Sequence, residues 1–228
     1  MKTVVVTGAY GNLGRAVVNR FLEQGFNVVG SIAPGEKAEP AIAYPNFSSK
    51  EIDLLNATDT SRWINELTEG AYVDAAVLTV GGFAMGTVED STPEQVQKMI
   101  RLNFETAFNT AQPLFQHMKK KGKGRLFFIG ARPALNANNS KGMFAYGLSK
   151  SMIIRLAEMI NLESKGTDVT ATVIIPSTID TPQNRASMPD ADPSKWVKPE
   201  QIADVILFYC SKEADPVREA VVKIYGGS

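Results

Sequence analysis

The sequence predicts a doubly wound α/β domain, a parallel sheet with helices on both faces, and three observations lead there. Short β-branched runs alternate with longer segments of helical period, the pattern of right-handed βαβ crossovers. The strand candidates are nearly continuous apolar runs, such as Val4-Val5-Val6 and Val173-Ile174-Ile175, as expected for strands buried on both sides. The first of them runs directly into a glycine-rich turn and then a helix. With 228 residues, 44% of them apolar and 21% charged, the chain can bury a full core without disulfide or metal. No linker or composition shift divides it, so residues 1–228 read as a single domain.

In order, the first strand is Lys2–Thr7, followed by a helix over Leu13–Gln24 and a second strand over Asn27–Ile32. Ala33–Ser49 carries three prolines and reads as a mobile surface loop. A short third strand is expected at Glu51–Asp53 and a helix at Thr60–Leu67. Then come a strand at Ala75–Val80, a long helix over Pro93–Lys120 and a strand at Gly124–Gly130. A helix over Ala145–Lys165, a strand at Val169–Ile175, a helix over Pro199–Cys210 and a strand at Ala220–Ile224 complete the chain.

Charge narrows the function. Lys plus Arg equals Asp plus Glu at 24 each, which argues against nucleic acid or an anionic membrane as partner. The Lys119–Arg125 cluster complements a helix C-terminus instead. The longest uncharged stretch, Ala75–Val88, is shorter than the roughly 20 residues of a membrane span. One cysteine, Cys210, and one histidine, His117, cannot assemble a His/Cys zinc site. Cys210 reads as a small core residue and His117 as an exposed helix position without a role. A reducing, cytoplasmic setting is expected.

The turn Thr7-Gly8-Ala9-Tyr10-Gly11-Asn12-Leu13-Gly14 stands between first strand and first helix. There glycines allow close backbone approach, and a helix N-terminus presents N–H groups to a pyrophosphate, as in Rossmann-like dinucleotide folds. About 20 residues on, an acid would hold the adenosine ribose, but Ala33 stands at that place. With Ser31, Lys37 and Arg15 nearby and Glu36 opposing, the sequence leans to NADPH over NADH.

With these motifs the chain resembles the short-chain dehydrogenase/reductase family over nearly its whole length. Asp53-Leu54 is similar to the family's adenine-contacting segment, and Asn103 stands where the family keeps a structural or catalytic Asn. Val80, Gly81 and Gly82 follow the fourth strand, and Pro176, Ile179 and Thr181 belong to a segment that in the family embraces the nicotinamide. Tyr146-Gly147-Leu148-Ser149-Lys150 matches the family's Tyr-x-x-x-Lys, implying that Tyr146 and Lys150 are catalytic and contact the cofactor. Independently, residues i and i+4 share a helix face with Cβ atoms roughly 5–6 Å apart. An ammonium that close is expected to lower the phenol pKa.

The departures define a branch. Ala131 stands at the position of the family's substrate-binding serine, with Ser140, Ser177 or a water as conceivable substitutes. Asn12 replaces the middle glycine of the turn, and Thr79-Val80-Gly81-Gly82 replaces the family's Asn-Asn-Ala-Gly. Gly81-Gly82-Phe83, Gly130-Ala131-Arg132 and the run Asp180–Asp192, closed by Trp196, resemble dihydropteridine reductases. That resemblance implies a substrate site at Phe83, Ala131, Arg132, Asn184 and Trp196 and reduction of a quinonoid dihydropterin with Tyr146 as proton donor. Trp196 reads equally as a lid or as a cover over the core. A carbonyl or ketoacyl reductase and a dinucleotide-sensing protein without turnover stay open. Family resemblance implies a small-molecule substrate and a homodimer or homotetramer.

Overall fold

The computed structural model describes residues 1–38 and 40–227; Glu39, inside the expected loop, and Ser228 lie outside the described residues. Among the described residues, seven parallel strands form one sheet: β1 (Thr3–Thr7), β2 (Asn27–Ile32), β3 (Phe47–Glu51), β4 (Ala75–Leu78), β5 (Lys123–Ile129), β6 (Asp168–Pro176) and β7 (Val221–Ile224). Their spatial order is β3-β2-β1-β4-β5-β6-β7. The order reverses between β1 and β4, and a crevice outside the carboxyl ends of those strands is where such sheets bind ligands.

The alternation of side chains along β1 builds two cores. Val4 and Val6 point into one cluster with Phe21 of α1 (Asn12–Glu23) and Ile202 and Ile206 of α7 (Pro199–Tyr209). Val5 points to the other face, clustered with Ile64 of α2 (Ala57–Gly70), Leu114 of α4 (Thr106–Lys121) and Ile153 of α5 (Phe144–Glu163). All are essentially inaccessible to solvent, and each such side chain contributes about 1.5–3 kcal/mol by leaving water.

Four elements depart from the sequence expectation. The third strand lies at Phe47–Glu51, not Glu51–Asp53, and takes the end of the expected loop. As an edge strand it pairs, among the described residues, with β2 alone, from Val28–Phe47 to Ile32–Glu51, and its largely exposed Ser-Ser-Lys-Glu carries no apolar signal. β4 stops at Leu78, because Thr79 N and Oγ1 turn to Thr7 Oγ1 and O at 3.0 and 2.6 Å. The long helix is two, α3 (Pro93–Ile100) and α4, joined by a π-turn at Arg101–Glu105. It opens on a Thr92/Gln95 capping box and closes on left-handed Gly122. The run Asp180–Asp192 contains a short helix, α6 (Pro182–Ser187), capped by Thr181. His117 is half-buried rather than exposed: its Nε2 accepts from Val73 N at 3.4 Å and its ring lies 5.5 Å from that of Tyr72.

Candidate functional site

The crevice at the switch point is a cavity of about 320 Å³. It gathers Gly8, Gly11, Asn12, Leu13 and Gly14 of the turn, Ala33 beyond β2, Asp53 and Leu54 beyond β3, and Val80 and Gly81 beyond β4. These ten expected positions come from four separate chain segments. Gly14 is dictated by packing, since a Cβ there would lie 2.0 Å from the Gly8 carbonyl oxygen. Gly11 caps α1 without a side-chain partner, so the first N–H groups of the helix face the cavity end. This cradle fits a dinucleotide: backbone donors at a helix N-terminus, no side chain blocking their approach, and a carboxylate at Asp53.

Seven expected cofactor positions do not line it: Tyr10, Gly82, Tyr146, Lys150, Pro176, Ile179 and Thr181. The Tyr10 ring does not line the cavity; it packs edge-on to Phe47 and beneath the Arg15 guanidinium, 5.1 Å away. Gly82 is tied to Asn103, whose Oδ1 accepts from Gly82 N at 2.8 Å. Ser31, Glu36, Leu55, Thr79, Leu102 and Thr106 line the cavity as well. Of these, Ser31 and Glu36 were legible only as residues near a ribose and Thr79 only as part of the run after the fourth strand; Leu102 and Thr106 carry no motif.

At the other end, Tyr146 and Lys150 stand one turn apart on α5. Lys150 is 6% exposed, and its Nζ donates to the Ile129 carbonyl at 2.8 Å. Burial brings its pKa down to about 8. The expected lowering of the Tyr146 phenol is not found. Burial pushes it up to about 12, and the Lys150 ammonium is engaged by the Ile129 carbonyl of β5. A Cβ on Gly81 would lie 2.6 Å from Asn103 Oδ1 and 3.0 Å from Lys150 Nζ, so this wall must be glycine.

Asn103 sits in the π-turn and is buried. Its Nδ2 donates to Gly82 O at 3.1 Å and to Ser149 Oγ at 3.0 Å. The side chain therefore locks the loop after β4 to α5, and π-turns of this kind recur at functional sites.

Around Tyr146, Phe83 is exposed and its ring meets the Tyr146 ring edge-on at 5.0 Å. Ala131 is buried beyond β5 and offers no hydroxyl. The two serines considered as substitutes are engaged: Ser140 Oγ donates to Pro133 O at 2.6 Å and Ser177 Oγ to Tyr225 O at 2.8 Å. The Arg132 guanidinium lies over the Tyr225 ring at 4.1 Å. Asn184 folds onto its own loop, Nδ2 donating to Ile179 O at 2.8 Å. Trp196, read as a lid or as a cover over the core, is 9% exposed, and the segment beside it is tied by Val197 N donating to Thr178 O and Asp180 N to Val197 O. Pro176 ends β6, Ile179 bridges Val197, and Thr181 caps α6. Asn12 Nδ2 donates to Gln183 Oε1 at 2.7 Å, tying α6 to the glycine turn.

A parallel sheet with a dinucleotide cradle at its switch point and a Tyr/Lys pair at the far end defines a nucleotide-dependent oxidoreductase. Residues 2–192 match the short chain dehydrogenase family, and the chain belongs to it. A 2,3-dihydro-2,3-dihydroxybenzoate dehydrogenase of Escherichia coli (strain K12) is 27% identical, covering 100% of this chain and 96% of its own length. A dihydropteridine reductase of Dictyostelium discoideum is 29% identical over 97% and 94% of the two chains. A 3-oxoacyl-acyl-carrier-protein reductase, MabA, of Mycobacterium bovis is 28% identical over 99% and 92%. Among solved structures, a short-chain type dehydrogenase/reductase from Mycobacterium ulcerans shares the fold with a TM-score of 0.89 at 21% identity, over 99% and 89% of the chains. Among the described residues no helix is long and apolar enough to cross a membrane.

Proposed function

We propose that this chain reduces a flat, conjugated cyclic imine of the quinonoid dihydropterin type, with Tyr146 as the proton donor. The family binds NAD or NADP, which when bound supplies the hydride. Gly8, Gly11, Leu13 and Gly14 would hold the pyrophosphate, Asp53 and Leu54 the adenine, and Lys150 the nicotinamide ribose. Tyr146 holds its proton at neutral pH, because burial keeps its pKa near 12. Lys150, with its pKa near 8, keeps most of its charge at neutral pH, held at the Ile129 carbonyl one helical turn from Tyr146.

One observation carries this reading: among the described residues, the candidates for a second hydroxyl donor are either missing the hydroxyl or already engaged. Ala131 has none, and the Ser140 and Ser177 protons are held by backbone carbonyls. A lone ketone oxygen that becomes an alkoxide gains most from two donors. A conjugated imine spreads the incoming charge over its ring and needs one proton. Phe83, exposed beside Tyr146, offers a flat apolar surface to such a ring. The dihydropteridine reductase relative adds support.

A ketoacyl substrate is the second reading, favoured by the 28% identity to MabA and by the intact Asn103. Phe108 on α4 and Leu148, Met159 and Leu162 on α5 are exposed apolar residues, which supports assembly into a homodimer or homotetramer through these helices. The test is oxidation of NADH and NADPH by purified protein with quinonoid dihydropterin and, in parallel, a 3-ketoacyl thioester, beside Tyr146→Phe. Rapid pterin turnover lost in the variant supports the reading. Turnover on the thioester alone overturns it.

A further inference from the structure

The end of β2 holds an acid that the strand itself does not encode. Ala33-Pro34-Gly35-Glu36 closes a tight turn, Glu36 N donating to Ala33 O at 3.0 Å. Proline in the second place and Gly35 at φ +75° in the third are the signature of a type II turn. The turn reverses the chain, and Glu36 Oε2 accepts from the Ala33 N–H at 3.3 Å. A carboxylate is thereby returned to the tip of β2, on the wall of the same cavity as Gly8, Ser31 and Asp53.

The cations that would favour a phosphate there are turned away. The Arg15 guanidinium donates to Pro40 O at 2.8 Å and lies over the Tyr10 ring. Lys37 is exposed and does not line the cavity. Ser31 Oγ accepts from Gly8 N at 3.3 Å, so it serves the turn. The sequence leaning to NADPH counted these three groups as neighbours of the ribose; in the fold, only Ser31 and the opposing Glu36 face the cavity.

We propose that Glu36 makes this protein select NADH over NADPH. Its carboxylate accepts a hydrogen bond from the 2′-hydroxyl of the adenosine ribose and repels a 2′-phosphate. The role that dinucleotide folds give to an acid about 20 residues beyond the turn is thus filled from three residues further on, through the Pro-Gly turn. The inference rests on the reading of this cavity as the dinucleotide site. A carboxylate and a phosphate several ångströms apart near a protein surface repel enough for about a tenfold difference in affinity.

The experiment is calorimetric titration of the purified protein with NADH and with NADPH, with no second substrate, for wild type and Glu36→Gln. Wild type is expected to bind NADH about tenfold or more tightly than NADPH, and E36Q to narrow that ratio to about threefold, chiefly by binding NADPH better. A wild-type preference for NADPH, or a ratio unchanged in E36Q, overturns the inference and leaves the dinucleotide site intact. Equal weakening of both coenzymes assigns Glu36 to holding the turn and also overturns it. Binding of neither coenzyme by wild type overturns the dinucleotide reading itself.

Discussion

Lys150 Nζ donates to the carbonyl oxygen of Ile129 at 2.8 Å, joining α5 to the carboxyl end of β5. The bond is made by a group whose charge burial disfavours: its pKa falls to about 8 from an ordinary value near 10.4. Below pH 8 the ammonium is present in both folded and unfolded chains, and the full cost of burying it applies. Between pH 8 and 10.4 the unfolded chain binds more protons, so this group's contribution to stability rises with pH. Urea unfolding of wild type and Lys150→Met from pH 7 to 10.5 checks this. The difference is expected to move in favour of wild type by up to about 3 kcal/mol across that window. Turnover should fall above pH 8 as the cation is lost.

Asn103 makes four hydrogen bonds from a buried position, two with Gly82, one to Ser149 and a long one to Met99 Sδ. Asn103→Ala leaves the Gly82 N–H without that acceptor, at a cost of about 2–3 kcal/mol in unfolding free energy. Because Gly81 sits between Asn103 and Lys150, kcat should drop more than coenzyme affinity. Parallel denaturation and steady-state kinetics on this variant check both; unchanged stability would show that the loop is held by other contacts.

The central strands and the helices over them were legible because burial on both faces leaves a continuous apolar record, as in Val4-Val5-Val6. β3 left none, since Ser48, Ser49, Lys50 and Glu51 meet solvent at the sheet edge. The turn residues of the cradle were legible from glycine spacing, whose physical reason is the 2.0 Å approach at Gly14, whereas Asp53, Leu54, Val80 and Gly81 were legible only through the family resemblance. Tyr10 was misplaced because spacing does not say which way a side chain turns, and Arg15 and Phe47 draw its ring outward. The pKa direction at Tyr146 failed because helical spacing brings Lys150 near but does not show the burial that raises the phenol, and a β5 carbonyl engages the ammonium.

Gly14→Ala is expected to damage the cradle more than any other single methyl. The added Cβ would press on Gly8 O, Gly8 C and the Ala9 Cα, all backbone atoms that cannot swing aside. Strain of this kind costs about 1–3 kcal/mol or more and must be relieved by shifting the turn. Coenzyme affinity measured by titration should fall by about tenfold or more, since 1.4 kcal/mol corresponds to a factor of ten. Affinity within twofold of wild type would mean that the turn is not the binding element.

Ala131→Ser tests which substrate the site was shaped for. Ala131 is 7% exposed at the end of β5, and the neighbouring hydroxyls of Ser140 and Ser177 donate to backbone carbonyls. A serine here adds one donor to a site in which Tyr146 is the proposed proton source. If a ketone is reduced, the developing oxyanion gains a partner, and single donors of that kind are worth about 10²–10³ in rate at full strength. Geometry not tuned for the new hydroxyl lowers the gain, so kcat/KM on a simple ketone should rise about tenfold. Pterin turnover should stay within a few-fold of wild type, because a conjugated imine develops no isolated oxyanion. Folding stability should fall by about 1 kcal/mol where the hydroxyl finds no partner. Steady-state kinetics of the variant on both substrates decides the matter. A ketone rate already high in wild type and unchanged by the serine would mean that a group other than residue 131 serves as the second donor, and the conjugated-imine reading would lose its main support.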